Sequence, residues 1–436
     1  MFNRKIKNYR WLILALLVSA TTINYLDRQV LGLLKPILEV EFNWSETDFA
    51  YMVTAFTGAY ALGLISWGWL IDRIGSKLGY TIAVSTWSLM GMVHAAARTA
   101  LGFGLARVGL GITEAGNIPA GMKAIAEWFP RKERGLATGL FISGTSAGVI
   151  LALLMVPWIL GIYGWQEVFI ITGLMGFAWL VFWIIFYNVP AKEKRLTEAE
   201  YNLIHEGQKL DPLAVEEVVK VSWIRLFTFP QTWVFITGKG LLDPIYWFFM
   251  FWLPSYFAFK FDLDMKQLSP ELMTIYLMSV IGSIGGGYFS SWLIKRGWPT
   301  LKARKTALLI FAVMELAVLL VQHASNAWMV VAILSFTLAV HQAWSTNIFT
   351  LVVDLFPKQV VSSVTGIGTM WGAVGGMLFP LLVGYILDSY KSAGNLSAGY
   401  NLLFFICAFT YLFAWGIIYL LTRNAKPVEL KDLQIK

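Results

Sequence analysis

In this chain of 436 residues, 57% are hydrophobic and only 14% charged, against roughly a quarter charged in a soluble protein. The apolar residues gather in blocks of about 20, the length a helix needs to cross a hydrocarbon core. Together these exclude a soluble globular domain and point to an all-α protein that crosses the membrane repeatedly.

Twelve blocks are predicted as membrane helices: 11–34, 49–71, 80–97, 100–122, 136–160, 166–188, 232–257, 271–294, 306–322, 327–350, 362–387 and 398–422. A basic leader, "MFNRKIKNYR", precedes the first. That block is too long for a signal-peptide core and carries Asp27–Arg28, so it is expected to remain as a span. The net charge of +8 is unevenly placed. On the twelve-span reading, 26 Lys and Arg lie on the side holding both termini, five on the other and three (Arg28, Arg107, Lys239) within spans. The positive-inside rule then predicts cytoplasmic termini. The basic charge reads as topology and contact with anionic lipid, not as a nucleic-acid surface. The lone Cys407 excludes an internal disulfide.

The longest polar stretch, 189–231, divides the chain into six spans (1–188) and six more (232–422), followed by a tail at 423–436. Its spaced apolar residues predict short amphipathic helices. The two parts look like copies. "EWFPRKERGLATG" (127–139) aligns without a gap on "DLFPKQVVSSVTG" (354–366), and "WLIDR" (69–73) matches "WLIKR" (292–296). Two six-span repeats with a site near the bilayer midplane are a transporter architecture. Glycines spaced by four in the fifth span (Gly135/Gly139, Gly144/Gly148) and the eleventh (Gly368/Gly372/Gly376) allow close helix approach. That spacing serves static packing equally well.

Charges within spans mark functional candidates, because an ion at mid-bilayer costs several kcal/mol, roughly 2.5–3.5 on insertion scales. Asp27 and Arg28 point about 100° apart on their helix, so each is expected to find partners on other helices. Arg107 and Glu114 are two turns apart and share a face. A guanidinium grips a carboxylate bidentately and stays charged at any working pH. Buried carboxyls can bind and release protons as their surroundings change. The alternative is a fixed salt-bridge cluster that locks a gate, with Asp27 merely holding Arg28.

Lys239 and Asp243 form a second pair at i,i+4, beside Pro244, which permits a bend. They suit a second part of an anion site, a gate, or a self-neutralising pair. Tyr246, Trp247, Trp344 and Trp371 could stack on a sugar ring, although most aromatics must serve packing or the interfacial belt. His341 with Gln342 and Asn347 suits an interhelical hydrogen-bond cluster better than a proton relay. Glu315 requires an unseen partner. Asp72–Arg73, Glu127, Arg131 and Arg134 read as a charge network between helix ends. No phosphate-binding glycine loop, metal-ligating cluster or serine-hydrolase elbow is present ("SGTSAG" at 143–148 lacks the elbow spacing). No enzyme, cofactor or metal is expected.

At "GWLIDRIGSK" (68–77) the chain resembles the loop signature of the major facilitator superfamily, with Gly68, Asp72, Arg73, Gly75 and Lys77 in place. "NYLDRQVLGLLKP" (24–36), "ARVGLGITEAGNIPAG" (106–121) and "AEWFPRKERGLATG" (126–139) resemble its anion:cation symporter branch. "KGLLDPIYWFFMFWLP" (239–254) and "HQAWSTNIFTLVVDLFP" (341–357) are most similar to bacterial hexuronate transporters. The resemblance implies the major facilitator fold, proton-coupled uptake of galacturonate or glucuronate through a bacterial inner membrane, and a monomer. By position it assigns Arg28 and Arg107 to the substrate carboxylate, Asp27 and Glu114 to proton coupling, and Tyr25, Thr145, Trp344 and Thr369 to the cavity lining. Relatives often carry an amide where Thr145 and Thr369 stand, which changes the contacts expected to sugar hydroxyls. Other organic anions, sodium coupling, and a sugar-acid sensor that carries no flux are the alternatives.

Overall fold

The computed structural model describes residues 5–44, 46–205, 223–261, 269–423 and 425–433. Seventeen α-helices are found there, and the only β pairing among the described residues is a single bridge between Ile6 and Leu196. Long helices are the expected solution for apolar blocks, since lipid offers the backbone no hydrogen-bond partner.

The first group comprises α1 (Tyr9–Phe42), α2 (Glu46–Ile74), α3 (Ser76–Val93), α4 (Ala100–Glu114), α5 (Asn117–Trp128), α6 (Arg131–Ile162) and α7 (Trp165–Phe186). Two short helices follow, α8 (Glu198–Ile204) and α9 (Trp223–Leu226). The second group comprises α10 (Pro230–Gly240), α11 (Asp243–Phe261), α12 (Ser269–Lys295), α13 (Thr300–Met314), α14 (Ala327–Leu355), α15 (Val361–Ser392) and α16 (Leu396–Leu421). A terminal turn, α17 (Leu430–Leu433), ends the described chain.

All twelve predicted blocks are helical. Among the described residues, nine helical segments are long and apolar enough to cross a membrane. The other three blocks hold α3, the broken pair α4/α5 and the broken pair α10/α11. The ends follow local chemistry. The side chains of Thr99, Asn326 and Asn395 accept from the backbone of Gly102, Met329 and Ala398 to cap α4, α14 and α16.

The two groups meet along α2 against α15 and α6 against α12. Gly139 and Gly366, equivalent in the internal repeat, each lie against a backbone carbonyl of the other group, Ser283 and Leu64 respectively. A Cβ at either position would collide with that carbonyl.

Polar contacts join the groups at the end that bears the termini. The Asp72 carboxylate accepts from the backbone N–H of Ser362 (3.3 Å) and Ser363 (2.7 Å), and Lys123 approaches it at 2.8 Å. It thus sits at the positive N-terminus of α15, where a carboxylate is favoured. Arg134 donates to the Val353 carbonyl (3.0 Å) and to Asp354 (3.3 Å), whose other oxygen takes Arg304 (3.0 Å). The expected inter-helix charge network therefore includes Asp72 and Arg134. Glu127 instead accepts from Ser76 and Tyr187, within the first group.

The two repeat copies seal differently for a physical reason. Lys295 stands where Asp72 has its counterpart, and a cation cannot cap the N-terminus of α6. In the second turn of α6 the Leu136 N–H donates to the Ser291 hydroxyl (3.3 Å).

The start of the polar linker folds back on the N-terminal segment. Glu200 on α8 accepts from the backbone of Tyr9 (2.8 Å) and from the Arg10 guanidinium (2.8 Å), which also pairs with Glu133. The expected short helices are represented by α8 and α9; residues 206–222 lie outside the described residues.

If the glycine contacts hold this end shut, Gly366→Val should part it. Spin labels at Leu78 and Trp298, both exposed, should then report a longer, broader distance than in the parent protein. An unchanged distance distribution would contradict the packing argument. Cys407 is buried, so it interferes little with labelling.

Candidate functional site

Between the two groups lies a cavity in which water centres can occupy about 130 Å³. Its wall includes Tyr25 and Arg28 from α1, Phe56 and Tyr60 from α2, and Thr145 from α6. From the second group come Lys239, Asp243, Trp247, His341 and Thr369. The wall is apolar and aromatic over most of its area, with cations from both sides, the usual character of a small-molecule site.

Arg28 is the centre of the first-group wall. Its guanidinium lies 4.5 Å from the ring centroids of both Tyr25 and Tyr60 and 5.2 Å from that of Phe56. Such cation–π contacts strengthen where water is excluded. Its Nε donates to Glu114 Oε2 at 3.0 Å, and a terminal nitrogen approaches the same oxygen at 3.0 Å. The Arg28 side chain keeps 14% exposure while Glu114 has none. The carboxylate therefore stands behind the arginine, away from the cavity. Glu114 ends α4, and the chain turns through Ala115–Gly116 before α5 begins.

Arg107 is the other arginine expected at the substrate carboxylate. It donates to the backbone carbonyl of Arg28 (3.3 and 3.4 Å) and is not part of the cavity wall. Asp27 projects from α1 at about 100° to Arg28. It is buried, and neither of its oxygens makes a hydrogen bond. Thr172 lies beside it, with its hydroxyl directed to the Phe169 carbonyl (3.4 Å).

In the second group the helix breaks between α10 and α11, immediately before Asp243–Pro244. Proline in a first helical turn lacks only an N–H that would be unpaired anyway. Across the break, Lys239 Nζ lies 2.7 Å from Asp243 Oδ1, 3.4 Å from the Ser345 hydroxyl and 4.5 Å from the Phe349 ring centroid. Both members of the pair line the cavity.

Of the other predicted residues, Tyr25, Thr145, Trp247 and Thr369 are in the wall, as are Tyr246 and Gln342. Trp344 is buried edge-on against Tyr411 (5.6 Å) outside the cavity, and Trp371 is half-exposed elsewhere. Phe56, Tyr60 and Ser345 escaped sequence reasoning. Phe56 and Tyr60 are four apart on α2, a helical-face signal indistinguishable from packing until Arg28 is placed between them.

The chain belongs to the Major Facilitator Superfamily, whose family model matches residues 17–380. It is 30% identical to the hexuronate transporter of Escherichia coli (strain K12), over 98% of this chain and 97% of that protein. It is 28% identical to a probable galactarate/D-glucarate transporter of the same strain, over 94% and 95%. A solved structure of the proton:xylose symporter XylE bound to 6-bromo-6-deoxy-D-glucose matches with a TM-score of 0.72 at 14% identity, covering 94% of this chain and 96% of that one. This is a multi-pass integral membrane transporter, not an enzyme.

Removing one member of a buried ion pair strands the other, at about 3–5 kcal/mol. Lys239→Ala alone should therefore lower the melting temperature in detergent well below that of the Lys239→Ala/Asp243→Ala double variant. Additive losses in the double-mutant cycle would show that the pair is not coupled.

Proposed function

We propose that this protein takes up a hexuronate, galacturonate or glucuronate, by proton symport through alternating access. It works as a twelve-span, two-half transporter (halves 1–188 and 232–422) of a bacterial inner membrane, with cytoplasmic termini. The observation that carries this reading is the Arg28–Glu114 pair, with the cation in the cavity wall and the carboxylate sealed behind it.

A substrate carboxylate and Glu114 compete for one guanidinium. Protonating Glu114 removes its claim, so a proton arriving from outside prepares Arg28 for bidentate capture of the anion. Losing that proton on the other side restores the pair and expels the anion. Affinity for the proton and affinity for the substrate are thereby linked and reciprocal. Arg107 acts as a positioning residue through its grip on the Arg28 carbonyl. Asp27 is the companion coupling carboxyl. Tyr25, Trp247, Thr145 and Thr369 face the sugar ring and hydroxyls, and Lys239 offers a second cation from the opposite wall. Movement requires the contacts at the termini-bearing end to part; small residues along α2/α15 and α6/α12 favour rigid-body rocking.

Lys239 also favours a second reading, in which the substrate is a dianionic aldarate held at both ends. The relative named for galactarate and glucarate agrees with that chemistry.

The test is uptake into proteoliposomes under an inward proton gradient, with labelled galacturonate, glucuronate and galactarate. A hexuronate should accumulate and a protonophore should abolish the accumulation. Glu114→Gln should keep counterflow exchange while losing gradient-driven accumulation at least tenfold. Accumulation of galactarate alone would replace the substrate, and accumulation driven by sodium but not protons would overturn the coupling.

A further inference from the structure

Two carboxyl groups among the described residues have both oxygens buried and without a hydrogen bond: Asp27 in the first helix group and Glu315 in the second. Asp27 has a role in the coupling proposed above. Glu315 has none, yet it is fully buried, and an unpaired charge at such a place is costly enough to mark a functional residue.

Its setting is unusual in a second way. The span that begins with α13 changes from α-helix to 3-10 helix at Glu315, and the tighter winding runs for nine residues, Glu315–His323. Such runs rarely exceed three or four residues, and a mid-span stretch often marks a hinge or strain. This segment packs on α14 and α16.

The groups facing Glu315 lead to the cavity. α16, which packs on this segment, carries Cys407 and Tyr411, both fully buried. The Tyr411 hydroxyl is 2.6 Å from His341 Nδ1 on α14. His341 is in the cavity wall, where its ring stacks on Tyr246 at 5.2 Å. The same cavity is lined by Lys239, whose charge opposes a cation on His341, and by Asp243, whose charge favours one. The basic residues of α13 itself (Lys302, Arg304, Lys305) are confined to its first two turns.

We propose that Glu315 is a second proton-binding site, reached from the cavity through His341 and Tyr411. The proposal rests on the symport reading for its use, but not for its existence. Delivery to the cavity requires the Glu315 carboxyl to turn onto Tyr411. The Glu315 O–H bond then breaks as Tyr411 Oη gains a proton, and the former Tyr411 proton bonds to His341 Nδ1. One proton moves, no electron does, and a carboxylate and an imidazolium result. The imidazolium forms in the cavity wall, where an anionic substrate would stabilise it. Proton binding in the second half would thus be coupled to substrate as Glu114 is in the first.

Infrared difference spectroscopy on the protein in liposomes tests the site directly. A pH titration of the parent protein should show a protonated-carboxyl carbonyl band that is absent from Glu315→Gln. Tyr411→Phe and His341→Gln, which keep the carboxyl, should retain the band but slow its loss at least tenfold after an alkaline jump. Coincident spectra of the parent and Glu315→Gln would overturn the site, and unchanged rates in both relay variants would overturn the route. Reversal potentials then give the proton-to-substrate ratio, which should fall by about one in Glu315→Gln. A parent protein without proton-driven uptake would sink the symport reading while leaving the infrared result to stand or fall alone.

Discussion

A charge in the interior of a membrane protein must be paired or neutralised, and the structure is arranged around that requirement. Arg28 satisfies it by drawing Glu114 to 3.0 Å and by lying among three aromatic rings. Lys239 satisfies it with Asp243 at 2.7 Å. Each pair has one member at a helix break. Glu114 is the last residue of α4 and Asp243 the first of α11, and Lys239 and Asp243 keep the i,i+4 spacing of a helix across theirs. A cavity with a paired cation in each wall follows, and a paired cation is one that a competing anion or a proton can release.

The same reasoning applies at the end bearing the termini. Asp72 rests on the first turn of α15, and Arg134 spans from α6 to the last residues of α14. These bonds join two groups of helices that also approach closely at glycines along α2/α15 and α6/α12. Small residues make the contact close without interlocking it, so the hydrogen bonds at the end carry much of the specificity. The replacement of Asp72's counterpart by Lys295 removes a carboxylate from one seal, where Leu136 in the second turn of α6 meets the Ser291 hydroxyl. The repeat is thus symmetric in packing and asymmetric in electrostatics.

Block length and hydropathy were sufficient to place helices in all twelve predicted regions, because helix formation in lipid is dictated locally by the backbone's need for hydrogen bonds. The charged residues within spans were legible for a similar reason, since the cost of burying them makes each an exception that demands a role. Their partners were less legible. Arg107 and Glu114 share a helical face, yet it is Arg28 that bonds Glu114, while Arg107 holds a main-chain carbonyl. Trp344 lies among polar residues in the sequence but packs against Tyr411. Phe56 and Tyr60 carry no mark that separates them from core aromatics.

The sequence alone determined that this is a membrane protein of repeated apolar helices, with ionisable residues set within the apolar blocks. Those properties depend on each segment's own composition. Which carboxylate meets which arginine, which aromatics enclose it and which residues face the cavity were decided only when helices hundreds of residues apart came together. Pairing energies act over a few ångströms and across elements, and no local pattern encodes them.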